Sequence, residues 1–245
     1  MRKILKSLMP LALIVVSTAS QAGVVTNDTD LLSGTGHEKL SEWLGQDVNL
    51  TRIFAKGVDG STSYDWHDHV DGMGATFTIM ELFDSTTNER TVIGGYNSND
   101  WVSTPTYSKS ASNFLFNLTN RTVYKTTGQS DNFHASYNRD SYGSTFGGGH
   151  DLYVKDNLTT GYANIGYTYG DSSKFRQNQY MEEFAGSYDN WTIGAYETFT
   201  LSDSTGGFGM GATASLTESG EPNSVPVPFA LAGLSLLGLG FARRK

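Results

Sequence analysis

The chain has no cysteine at any of its 245 positions. Structural disulfides, thiolate metal sites and cysteine nucleophiles are therefore excluded. Stability has to come from a hydrophobic core alone. Basic residues are scarce as well. There are 17 Lys and Arg against 25 Asp and Glu. Six of those bases (Arg2, Lys3, Lys6, Arg243, Arg244 and Lys245) and none of the acids lie at the two ends. The span between them carries 11 bases against 25 acids, a net −14. Such a surface repels nucleic acid and anionic lipid headgroups. Cationic partners, neutral glycans and divalent cations stay compatible with it. Also missing are a Gly-x-Ser-x-Gly elbow, a phosphate loop, an HExxH helix and the Asp-x-Asx-x-Asx-Gly spacing of a calcium loop. No apolar run reaches the roughly 20 residues of a membrane-spanning helix, and there are no internal repeats.

The ends read as addresses. Residues 1–22 form a secretory signal: a basic start, an apolar stretch from Leu8 to Val16, and small residues at Ser20 and Ala22. Signal peptidase is the expected first partner. Residues 23–29 are a polar lead, and residues 30–203 are long enough for one core. Residues 204–225 turn to Gly, Ser, Thr and Ala, a flexible spacer. Residues 226–245 combine Pro226-Val227-Pro228, an uncharged apolar stretch from Phe229 to Ala242 and a basic close. This tail resembles a PEP-CTERM sorting signal, with Val227 where that family carries glutamate. The resemblance implies an exosortase-type sorting enzyme and a Gram-negative envelope, surface or matrix location. A plain anchor is the alternative, and contact with membrane is then expected through the tail only.

Within 30–203, many Gly, Tyr, Phe, Ser, Thr and Asn residues and few helical patterns favour antiparallel β structure. One helix is expected near Leu40, Trp43 and Leu44, stopped by Gly45, and a short one over Tyr64–Val70. Strands are expected at Thr51–Lys56, Ala75–Phe83, Arg90–Tyr96, Asn113–Leu118, Thr122–Lys125, Leu152–Lys155 and Trp191–Leu201. Alternation puts Phe77 and Ile79 on one face and Met80 and Leu82 on the other. It also puts Ile193, Ala195, Glu197 and Phe199 on a common face. The expected class is mainly β: a two-sheet antiparallel β-sandwich with a few short flanking helices.

One segment is distinctive: Tyr142-Gly143-Ser144-Thr145-Phe146-Gly147-Gly148-Gly149-His150-Asp151-Leu152. It follows Asp59-Gly60-Ser61 with Trp66-His67, Asp71-Gly72-Met73-Gly74, Ile93-Gly94-Gly95-Tyr96, Trp101 and Asn113-Phe114-Leu115-Phe116-Asn117-Leu118. It precedes Glu197-Thr198-Phe199. In this order the motifs resemble a TLDc domain, with Ser144 and Ala75 where that family has proline and Trp66 where it has phenylalanine. The resemblance implies a β-sandwich flanked by a few helices. Eukaryotic members are associated with protection from oxidative stress and with the vacuolar proton pump; no agreed catalytic activity belongs to the family.

Several residues are candidates for chemistry. His67, His69 and Asp71, with Asp65 and Asp68, could ligate a metal if His67 and His69 shared one face of a strand. His150 could act as a base with acidic partners such as Asp151 or Glu197 in a hydrolase or peroxide-handling enzyme. Neighbours on a strand point apart, however, so a structural reading comes first: His150 bonds backbone freed by the glycine bend, and Asp151 caps a turn. The carboxylates Glu81, Glu182, Glu183 and Glu197 could form a glycosidase pair. Tyr162, Tyr167 and Tyr169, with Tyr180 and Tyr188, could stack on sugars of a surface polysaccharide. The expected activity is binding, to a polysaccharide or an envelope protein. No cofactor and no nucleic-acid partner are expected.

Overall fold

The computed structural model describes residues 25–26, 31–32, 35–126, 133–186 and 191–204. The signal peptide, the C-terminal tail and all but one residue of the spacer lie outside them. Among the described residues, eleven strands and three α-helices follow in chain order: β1 (Val25–Thr26), α1 (Thr35–Leu44), β2 (Val48–Ala55), α2 (Ser63–Val70), β3 (Thr76–Asp84), β4 (Arg90–Asn97), β5 (Thr106–Ser108), β6 (Phe114–Asn117), β7 (Thr122–Lys125), β8 (Ser136–Asn138), β9 (Leu152–Val154), β10 (Gly161–Ala163), α3 (Asn178–Ala185) and β11 (Trp191–Asp203).

The major sheet has seven strands in the order β1-β2-β11-β3-β4-β6-β7. Every pairing in it is antiparallel except β1 with β2. The minor sheet consists of the pairs β5-β8 and β9-β10, joined where Phe146 bridges both Ser136 and Leu152. Residues on the two faces of the major sheet enter two separate cores. Phe77, Ile79, Phe116 and Phe199 pack with Leu40 of α1. Met80, Leu82, Ile93 and Tyr196 pack with Phe146, Leu152 and Val154 of the minor layer and with Trp66 of α2 and Phe184 of α3. The faces expected for β3 are therefore observed. The mainly β sandwich is present, with α1 outside one sheet.

The two indole donors of the inter-sheet core are each matched to a hydroxyl, where an unpaired buried donor would cost about 1–3 kcal/mol. Trp66 Nε1 donates to Thr198 Oγ1 at 2.8 Å and Trp101 Nε1 to Thr76 Oγ1 at 2.9 Å. The two indoles meet edge to face, 5.1 Å apart. Helix α2 starts at a reciprocal capping box between Thr62 and Asp65. Helix α1 stops at Gly45, whose φ is +81°.

Two expectations need correction. The period-2 reading of β11 fails because its register against β3 shifts between Ile193 and Tyr196. The bulge leaves Ile193 and Tyr196 in the inter-sheet core and sends Phe199 to the α1 side. Helix α3 was not expected at all. Its buried Tyr180, Met181, Phe184 and Ala185 make a one-sided stripe, but at eight residues it is too short to stand out among polar neighbours.

Candidate binding face around the glycine loop

Phe146 and Leu152 exchange two backbone hydrogen bonds, Phe146 N to Leu152 O at 2.9 Å and the return bond at 3.3 Å. They close a loop over residues 147–151. Gly147 has φ +85°, and a Cβ there would lie 2.0 Å from the Asp151 carboxylate. A Cβ on Gly149 would sit 2.9 Å from the Tyr167 ring. The glycines are thus required for close contact as well as for turning. His150 follows in the left-handed region, φ +54°, a conformation that costs a non-glycine residue about 1–2 kcal/mol.

That backbone splits the His-Asp pair. Asp151 turns inward, fully buried, and accepts N–H bonds from Tyr167, Thr168 and Tyr169 at 3.1, 2.9 and 3.0 Å. Burial pushes its pKa up, to about 7, and those N–H bonds limit the rise. The expected turn-capping role is what the geometry gives. His150 points the other way. Its Nδ1 lies 3.1 Å from the Tyr162 hydroxyl, not on freed backbone as expected, and burial lowers its pKa.

The outward surface of the minor sheet is built of tyrosine. Each of its four three-residue strands is centred on one: Thr106-Tyr107-Ser108, Ser136-Tyr137-Asn138, Leu152-Tyr153-Val154 and Gly161-Tyr162-Ala163. Tyr107 stands directly across from Tyr137, and Tyr153 from Tyr162. Tyr142 fills the middle. Successive ring centroids are 5.1 Å apart from Tyr162 to Tyr153, 4.6 Å to Tyr142, 5.7 Å to Tyr137 and 4.7 Å to Tyr107. His134 extends the row, 4.5 Å beyond Tyr107. The His150 ring lies against Tyr137, Tyr142, Tyr153 and Tyr162. Tyr107 is 39% exposed, and the others are half-buried. The Arg139 guanidinium covers one ring, 5.1 Å from the Tyr142 centroid.

The TLDc domain model matches residues 25–202. The chain belongs to the TLDc family. No curated protein matches it significantly.

The remaining candidates in this TLDc domain fall apart into separate structural roles. Glu197 pairs with Ile79 across β3 and so faces the α1 side. Its Oε1 receives Arg52 Nη1 at 3.2 Å, and its buried Oε2 has no partner. The major sheet and the inter-sheet core lie between Glu197 and His150, so they share no site. Glu81 bonds Arg90, and Glu183 lies 3.9 Å from Lys174. Glu182 is exposed on α3.

The metal reading assumed a strand, but residues 63–70 are helix α2. Residues two apart on a helix point to different sides. His67 is buried, with Nδ1 2.6 Å from Asp71 Oδ1 and Nε2 donating to Arg139 O at 2.8 Å. It ties α2 to the segment that carries Tyr142. Exposed His69 contacts the Asp65 carbonyl instead. Among the described residues no group of three His, Asp or Glu is placed to hold a metal ion.

Of the tyrosines expected to stack on sugars, Tyr162 is in the row, and Tyr167 stands beside the glycine loop, 49% exposed. Tyr169 and Tyr180 are core residues instead. Tyr169 is fully buried, its hydroxyl bonded to Ala135 O. The Tyr180 hydroxyl accepts Asp171 N. Tyr188 lies outside the described residues. Sequence reasoning passed over Tyr107 and Tyr137, and used Tyr142 and Tyr153 only as motif letters. The signal was the repeated short segment centred on tyrosine.

Proposed function

We propose that this chain is an exported TLDc module that acts by binding, at the cell envelope, the surface or the extracellular matrix. The leader and the sorting-type tail support export. The single observation that carries the binding reading is the tyrosine row: every strand of the minor sheet spends its outward central position on an aromatic ring with a polar tip. The hydrolase or peroxide-handling alternative has less behind it. Around His150 stand tyrosine rings, and Asp151 faces away from it.

The test is retention of the full chain on the producer's envelope and matrix fractions. Wild type is expected to be held, and Tyr107→Ala with Tyr153→Ala to be released while still unfolding cooperatively, its midpoint lowered only by the loss of the two cross-strand pairs. Turnover of a glycan or an ester that disappears in His150→Ala would overturn the reading in favour of the enzyme. Mass spectrometry of the exported form should find a first residue of Gly23. Intact chain in the cytosol would contradict export.

A further inference from the structure

We infer that the ligand of the tyrosine face is an uncharged glycan chain, gripped along its interior rather than at an end. This rests on the binding reading above. The five tyrosines run from β10 at one edge of the minor sheet to β5 at the other, with His150 beside four of them. A protein partner commonly covers about 800 Å² per side, a broad patch, whereas a narrow row of rings fits a linear polymer. Consecutive ring centroids lie 4.6–5.7 Å apart with planes tilted by 50–69°, so a chain laid along the row meets ring edges as well as faces.

The chemistry of the face narrows the class. A solvated sheet face ordinarily carries polar residues opposite the core-facing ones. On β9 and β10 the inward neighbours are Leu152, Val154 and Ala163, on β8 they are the buried Ser136 and Asn138, and the outward residues are rings with an apolar face and a hydroxyl. A sugar ring is the same mixture, with a C–H face bounded by hydroxyls. Aromatic rows also suit single-stranded nucleic acid, but such sites pair their rings with a strongly positive groove. The span carries a net −14, which disfavours nucleic acid and acidic polysaccharide at long range, and among the described residues Tyr142 alone of the five rings has a cation over it, Arg139. Burial favours the uncharged form of His150 at the centre.

The interior grip follows from the ends of the row. At one end Tyr107 is 39% exposed and leads to exposed His134. At the other Tyr162 sits on an edge strand. Among the described residues, an exposed ring and an edge strand leave the two ends of the row unclosed. The row is preformed by the two cross-strand tyrosine pairs, and the left-handed His150 backbone directs its ring among them. Backbone strain of this kind recurs at ligand clamps.

The experiment is calorimetric titration of the full chain with uncharged linear oligosaccharides of one to six units. The producer's own uncharged polysaccharide is titrated beside them, at low and high salt. The expected result is affinity rising at least tenfold from two units to six, nearly independent of salt. Tyr107→Ala and Tyr162→Ala should each weaken the six-unit ligand about tenfold and change the two-unit ligand less. Tyr107→Phe should retain binding, which separates ring stacking from loss of the fold. Length-independent affinity, or loss of binding when the reducing end is blocked, overturns the interior grip and leaves the binding reading intact. Tyrosine-dependent retention on an envelope protein, with no uncharged glycan bound, overturns the ligand class and again spares that reading. Failure of the tyrosine variants to alter retention on any fraction overturns both.

Discussion

Asp151 shows how one side chain can hold a loop and record pH. Buried in the folded chain, its pKa rises from 3.8 to about 7. Between those values the folded chain holds a proton that the unfolded chain has released. The contribution is therefore greatest below about 4 and is lost as pH rises through about 7. The stability difference between wild type and Asp151→Asn should accordingly change by up to about 1.4 kcal/mol per pH unit across that window, measured by urea unfolding. A flat difference would mean that the three N–H bonds outweigh burial. Gly147→Ala places a Cβ against the same carboxylate at positive φ. It should cost about 3 kcal/mol in the same assay. At this scale the sequence was partly legible. Three glycines before His-Asp announced a special backbone, and Asp151 did cap a turn. The partner of His150 was not readable, because Tyr162 reaches it only through the pairing of β9 with β10.

The elements divide by length. Long alternating segments such as β3 and β4 declared themselves, and the β3 faces came out as expected. Strands β5, β8 and β10 have three residues each, too few for a period to register. Their stability comes from cross-strand ring pairs and from Phe146 beneath them. Such pairs contribute roughly 0.2–1 kcal/mol apiece, so this minor layer depends on the core it covers. Helix α2 is held differently, by Thr62 and Asp65 capping each other. Thr62→Ala should lower stability by about 1 kcal/mol, read from the thermal midpoint. A change within error would show that the tether from His67 to Arg139 and Asp71 holds the helix alone.

Across the whole molecule, the major sheet is a partition. One of its faces packs under α1 and the other under the minor sheet with α2 and α3. This partition separates Glu197 from His150. Trp101→Ala, in the inter-sheet core, should cost about 3–5 kcal/mol, and more if Thr76 is left unpaired. The composition, the acidic balance and the ordered motifs were enough to establish the β class, the exclusion of thiol chemistry and the family. They follow from residue identity and local spacing, which the chain carries in one dimension. Which tyrosines form a surface, which are buried, and on which side of a sheet a carboxylate lies were decided only in three dimensions. A one-residue bulge in β11 reverses a face. Strands far apart in sequence supply the neighbours that make Tyr107, Tyr137, Tyr142, Tyr153 and Tyr162 one row.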